Sequence, residues 1–169
     1  MLFRSCIYKI FNIVNSIYGY TRKLNTPKVD YRKSEVGIRS AILSFNSPSQ
    51  IYPNSNVPYA EVSSDSIGVM LNGNGSFNLP RGSYVILFDL RGHSDKEGNI
   101  LLTLNLGSTV IYSYSDQLTS FDKTLSGMTS ISVVSHLNSY SLINSGPNSI
   151  ICVSDSEFPI GKMVIIKIA

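Results

Sequence analysis

Cysteine, histidine and charge are all scarce in this chain. Its two cysteines, Cys6 and Cys152, sit near opposite ends. That placement gives neither a disulfide framework nor a metal-ligand spacing, so both read as small hydrophobes. The two histidines, His93 and His136, have no obvious acid partner in sequence for a catalytic triad, and no Gly-x-Ser-x-Gly elbow occurs. The glycines of 73-GNG-75 lack the following Lys and helix of a phosphate-binding loop. The expectation is a protein with no enzyme activity and no cofactor.

Charged residues make up only 15% of the 169 residues, and they are unevenly placed. Residues 1–40 hold eight Lys/Arg against Asp30 and Glu35, a net +6, and the remainder nets −3. A basic arm joined to a mildly acidic body implies that the arm has a partner of its own. The division expected is an arm over 1–36 and a head over 37–169.

What the chain has in quantity is apolar sequence, 43%, broken by Ser, Asn, 12 Gly and 7 Pro. Many short apolar runs punctuated in this way indicate an all-β sandwich. The arm differs. In 2-LFRSCIYKIFNIVNSIY-18, Phe3, Ile7, Ile10, Phe11, Val14 and Ile17 fall in one half of a helical wheel, with Arg4, Lys9, Asn12 and Asn15 opposite. The spacing predicts an amphipathic helix stopped by Gly19. Its interruptions exclude a secretory signal, and its length a transmembrane span. It remains to lie on a membrane surface, to pack on its own domain, or to dock on a partner or on copies of itself. Residues 20–36 carry seven charges and Pro27 and read as an extended tether. Their interleaved Tyr, Arg and Lys also suit stacking on single-stranded nucleic acid. The partner expected is protein rather than nucleic acid or membrane.

From Gly37 the pattern changes to strands: 38–45, 51–59, 67–71, 75–79, 83–91, 100–106, 109–114, 130–137, 139–144, 149–154 and 162–168. The turn 72-NGNG-75 is a specific hairpin signal. With turn signals about every 8–12 residues, the fold expected is a two-sheet antiparallel jelly-roll sandwich. The run Tyr84–Leu90 is apolar on both faces, which marks an interior strand covered twice, by its own core and by something else. Tyr84, Ile86 and Phe88 are accordingly expected to divide between core and subunit interface.

Taken together, 57-VPY-59, 75-GSFNLPRGSYVILFDL-90, 101-LLTLNLGSTVIYS-113, 139-SYSLINSGPNSIICV-153 and 162-KMVIIKIA-169 resemble the trimeric jelly roll of tumour necrosis factor and complement globular heads. The likeness is to the bacterial and phage branch, typified by collagen-like glycoproteins of Bacillus spore surfaces. The arm occupies the place of the collagen stalk, and there is no Gly-X-Y repeat. The resemblance implies a homotrimer whose surfaces and loops carry recognition.

The most polar cluster, 89-DLRGHSDKEGN-99, offers Asp89, His93, Asp95 and Glu97 as oxygen and imidazole ligands for a cation. A solvated hairpin accounts for the same residues, and no metal is expected. His136, inside the candidate strand 130–137, is expected to be structural. Two functions follow. The first is a structural virion protein, a phage head fibre or capsid-decoration protein docked through its arm on a capsid protein. The alternative is a secreted or surface-held trimeric adhesin or ligand binding a host receptor or glycan.

Overall fold

Burial alternates strictly along Ser83–Arg91, giving one strand a buried and an outward face, and the sandwich is built around the buried one. The computed structural model describes residues 38–94, 96–153 and 160–168. The expected helix over 2–18, its docking residues Phe3, Ile7, Ile10, Phe11, Val14 and Ile17, and Asp95 lie outside the described residues.

In chain order the strands are β1 (Arg39–Phe45), β2 (Ser49–Ile51), β3 (Ser55–Asn56), β4 (Glu61–Ser63), β5 (Met70–Leu71), β6 (Phe77–Asn78) and β7 (Gly82–Gly92). They continue with β8 (Gly98–Leu106), β9 (Thr109–Leu118), β10 (Lys123–Val133), β11 (Ser139–Asn144), β12 (Ile150–Cys152) and β13 (Gly161–Lys167). One sheet runs β10-β7-β13-β1-β4, the other β5-β6-β11-β8-β9 with β3 also on β11, and β12 pairs with β2. All these pairings are antiparallel. The described residues form an all-β jelly roll, as their residue pattern predicts.

Side chains on the inner faces follow the period of two. Tyr84, Ile86, Phe88 and Leu90 of β7 are buried, with Leu43 of β1 and Met163 and Ile165 of β13. The second sheet contributes Leu102 and Leu104 of β8, Tyr140 and Leu142 of β11 and Phe77 of β6. Phe77 stacks on Tyr140 with centroids 6.0 Å apart, and Phe88 meets Tyr112 and Tyr114 edge-on at 6.3 and 5.9 Å. Such arrangements suit the aromatic quadrupole. The Pro80-Arg81-Gly82 corner is tied down by Tyr84, whose hydroxyl donates to the Pro80 carbonyl at 2.7 Å. Asn144, wholly buried, donates to the carbonyls of Ile51 and Asn148 and accepts from Gly146 N–H, so its amide is satisfied inside the core.

Three expected strands are different in the structure. The segment 51–59 is broken at Asn54, which has φ +60°; β2 before it pairs with β12, and β3 after it pairs with β11. Within 67–71 only Met70–Leu71 is strand, because the Asp65 carboxylate accepts from the N–H groups of Ile67, Gly68 and Val69 at 2.9, 2.8 and 2.9 Å. These bonds hold the segment in a turn, where ladder pairing cannot reach it. Of the candidate 130–137 only 130–133 is strand, the end of β10, which begins at Lys123 and stops at Val133, so His136 lies exposed on the following turn. The earlier part of β10 was hidden by Gly127. A Cβ there would meet the Phe88 ring at 2.5 Å, so the sheet needs glycine where propensity argues against a strand.

An apolar sheet face and a charged row as the candidate functional site

The outer face of the five-stranded sheet is set by the residues that alternate with the core. Register places Met128, Leu87, Val164 and Ile42 side by side across β10, β7, β13 and β1. The next row is Ser130, Val85, Ile166 and Ser40. Ile38 and Ile168, just beyond β1 and β13, extend the apolar area, and each is 61% exposed. Leu87, Val85, Val164, Ile166 and Ile42 are half-buried, and Met128 is 49% exposed. Contiguous apolar surface of this kind marks an interaction site more often than isolated exposed side chains do.

A polar row borders that stripe: Glu61, Ser44, Lys162, Asp89 and Ser126 follow one another across β4, β1, β13, β7 and β10. Desolvation pushes the Asp89 carboxyl above its ordinary range, while the Lys162 ammonium beside it pulls the other way. The face is thus an apolar stripe with charges of both signs, Glu61, Lys162 and Asp89, along one side.

Tyr84, Ile86 and Phe88 do not divide between the two faces. They share one parity and all three are buried in the sandwich, at 0%, 1% and 3% exposure. The residues of β7 that alternate with them, Ser83, Val85, Leu87, Asp89 and Arg91, are on the outer face. A strict period of two decides this, and the expected division overlooked it.

Of the four candidate metal ligands, the three that are described, Asp89, His93 and Glu97, do not form a metal-holding group. Asp89 lies in the charged row on the sheet. Nδ1 of His93 pairs with Asp122 Oδ1 at 2.8 Å, bridging the end of β7 to the β9–β10 loop. Asp95 lies outside the described residues. Among those described, no three His, Cys, Asp or Glu side chains form a group able to hold a metal ion.

A second feature lies where the start of β8, the end of β9, the start of β10 and residues 145–147 meet. It is an open groove of about 940 Å³. Asp116 is its most constrained side chain, accepting from Lys123 Nζ at 2.6 Å, Tyr114 hydroxyl at 2.8 Å and Gln117 N–H at 2.8 Å. The Lys123 hydrogen bond, with those from Tyr114 and Gln117, holds its carboxyl below the ordinary range, although partial burial opposes the shift. Sequence reasoning missed this groove because its residues come from four separate segments.

No protein-family model and no curated protein matches the sequence. Solved structures do match in fold. Eiger TNF from S. frugiperda superposes with a TM-score of 0.58 at 10% identity, over 78% of this chain and 93% of that one. The globular domain of zebrafish complement 1qA protein gives 0.55 at 17% identity, over 77% and 95%. The vertex protein P5 of PRD1 superposes less closely, at 0.48 and 17% identity, over 79% and 99%. The fold is the jelly roll of tumour necrosis factor and complement globular heads.

Proposed function

We propose that the chain is a structural virion protein, a phage head fibre or capsid-decoration protein, in which a homotrimeric jelly-roll head is carried on a docking arm. The observation that carries this reading is the row Met128–Leu87–Val164–Ile42, apolar across four neighbouring strands on the face away from the core. A second copy of the same chain is the occupant that suits it. The bordering Lys162 and Asp89 supply one charge of each sign, so copies meeting there can pair unlike charges. The two-faced segment 2–18, with its basic flank, supports a separate attachment to the capsid surface. The bacterial and phage branch resembled by 75-GSFNLPRGSYVILFDL-90 supports the virion setting.

Deletion of residues 1–36 tests both parts. The expected product is a trimer by light scattering that no longer co-sediments with particles. A monomer at micromolar concentration overturns the assembly, and undiminished particle association overturns the role of the arm.

The second reading, a secreted or surface-held trimeric ligand or adhesin, is favoured by the open groove beside Asp116 and Lys123. Both readings use the same head and the same assembly. They differ in whether its loops recognise anything.

A further inference from the structure

The groove beside Asp116 has a chemistry that selects among ligands. Its volume, about 940 Å³, is at the upper end of ordinary ligand sites, and it is a trough open to solvent. An extended ligand that leaves part of itself in water fits a trough better than a compact one buried on all sides.

The walls carry hydrogen-bonding groups of both kinds with no excess of charge. Asp116 and Lys123 lie 2.6 Å apart and cancel each other, yet their side chains are 27% and 45% exposed. The carboxylate therefore keeps accepting capacity and the ammonium keeps donors, both already oriented by each other. The remaining polar side chains along the groove, Asn99, Ser115, Gln117, Thr119 and Ser145, are uncharged, and Ile100, Leu101 and Pro147 are apolar. Such a surface gives an anion or a cation no net attraction. It matches a neutral molecule dense in hydroxyls, each of which donates and accepts.

The floor is preformed. Ser145 N–H donates to the Leu101 carbonyl at 2.7 Å, and the Ser145 and Thr103 hydroxyls lie 2.6 Å apart. Gly146 lies so close that a Cβ would meet Leu101 N at 2.7 Å. The loop over residues 145–147 is thereby held against β8, and binding needs little ordering of the site.

The β9–β10 loop, which joins two of the lining segments, carries an aromatic side chain of its own. Phe121, 79% exposed, lies in the β9–β10 loop between Thr119 and Lys123, both of which line the groove. An exposed aromatic ring on a loop flanked by groove-lining residues is within the chain's reach of the paired donors and acceptors, and that combination holds a sugar, with the ring against its C–H face and the polar groups on its hydroxyls.

We infer that this groove is a saccharide-binding site for an uncharged oligosaccharide, with Asp116, Lys123, Asn99 and Gln117 as hydroxyl partners and Phe121 as the stacking platform. The inference rests on the ligand or adhesin reading of the head, and it involves neither the arm nor the outer sheet face.

The test is an array of neutral, sialylated and sulphated oligosaccharides probed with the full-length chain, followed by titration with the best neutral compound. Retention of neutral compounds is expected, with affinity falling about tenfold or more in both Phe121→Ala and Asp116→Asn. Gln117→Ala, a milder change on the same wall, should weaken binding in the same direction while leaving the thermal midpoint unchanged. Absence of any neutral binder overturns the inference, as does binding undiminished in Phe121→Ala and Gln117→Ala. Binding confined to sialylated or sulphated compounds also overturns it, because the basic arm would account for that. Light scattering of the same samples reports assembly separately, so loss of trimers and loss of sugar binding are distinguished.

Discussion

Leu87 and Phe88 are neighbours on β7 that face opposite ways, and replacing each in turn separates fold from assembly. Phe88 is 3% exposed and meets Tyr112 and Tyr114 edge-on at 6.3 and 5.9 Å. Phe88→Ala removes a ring from a close-packed site and should cost about 3–5 kcal/mol. The two aromatic contacts account for about 0.5–1.5 kcal/mol each of that. For a head of this size the thermal midpoint should fall by about 10–20 °C.

Leu87→Asp acts on the outer face. In the monomer Asp at this half-buried position changes stability by about 1 kcal/mol, the span of strand propensities. In an assembled head it buries an unpaired charge at the contact, a cost of about 3–5 kcal/mol for each copy. The expected result is a folded monomer by light scattering at a concentration where the parent chain is a trimer. Urea titrations of Phe88→Ala are best made in the Leu87→Asp background, because assembly shifts apparent stability by mass action. A Leu87→Asp chain that still assembles refutes the interface, and a Phe88→Ala loss below about 1 kcal/mol refutes the packing argument.

Gly127→Ala should destabilise the head by about 1–3 kcal/mol, because the added methyl must displace the Phe88 ring. Adding Phe88→Leu should recover part of the loss in a double-mutant cycle; simple additivity would show that the ring and the glycine are not coupled. The depressed Asp116 carboxyl contributes stability that is complete above its ordinary value of 3.8 and is lost as pH falls through the lower folded value. Thermal melts of the parent chain and Asp116→Asn should therefore differ at neutral pH and converge in strong acid; a gap that widens on acidification would contradict the assignment. Burial pushes the Cys152 thiol up to about 12. In a Cys6→Ser chain, a thiol reagent near pH 8 should label nothing until urea is added, and prompt labelling of the native protein would place Cys152 nearer the surface.

Sequence alone determined the class of fold. The short apolar runs in Ser83–Arg91 and Lys162–Ile168, with turn residues at 72–75 and 80–82, require strands whatever their partners are. It also located β7 between two neighbours, because Val85 and Leu87 are apolar where an edge strand would be polar. Parity also places Tyr84, Ile86 and Phe88 on one face, but the expected division between core and interface did not use it, and the structure shows all three buried.

Tertiary structure decided what no local pattern contains. Gly127 is compatible with β10 only because Phe88 lies across it, and the Asp65 carboxylate turns a strand-like segment into a loop. The stripe Met128–Leu87–Val164–Ile42 draws on positions spread over most of the head and exists only once four strands are in register. The groove around Asp116 arises in the same way, from segments whose sequences are ordinary taken singly. Periodicity is a property of neighbours along the chain, so it reports which face of a strand is buried. Adjacency across strands depends on the pairing order, and that order is fixed by long-range contacts formed only in the folded state.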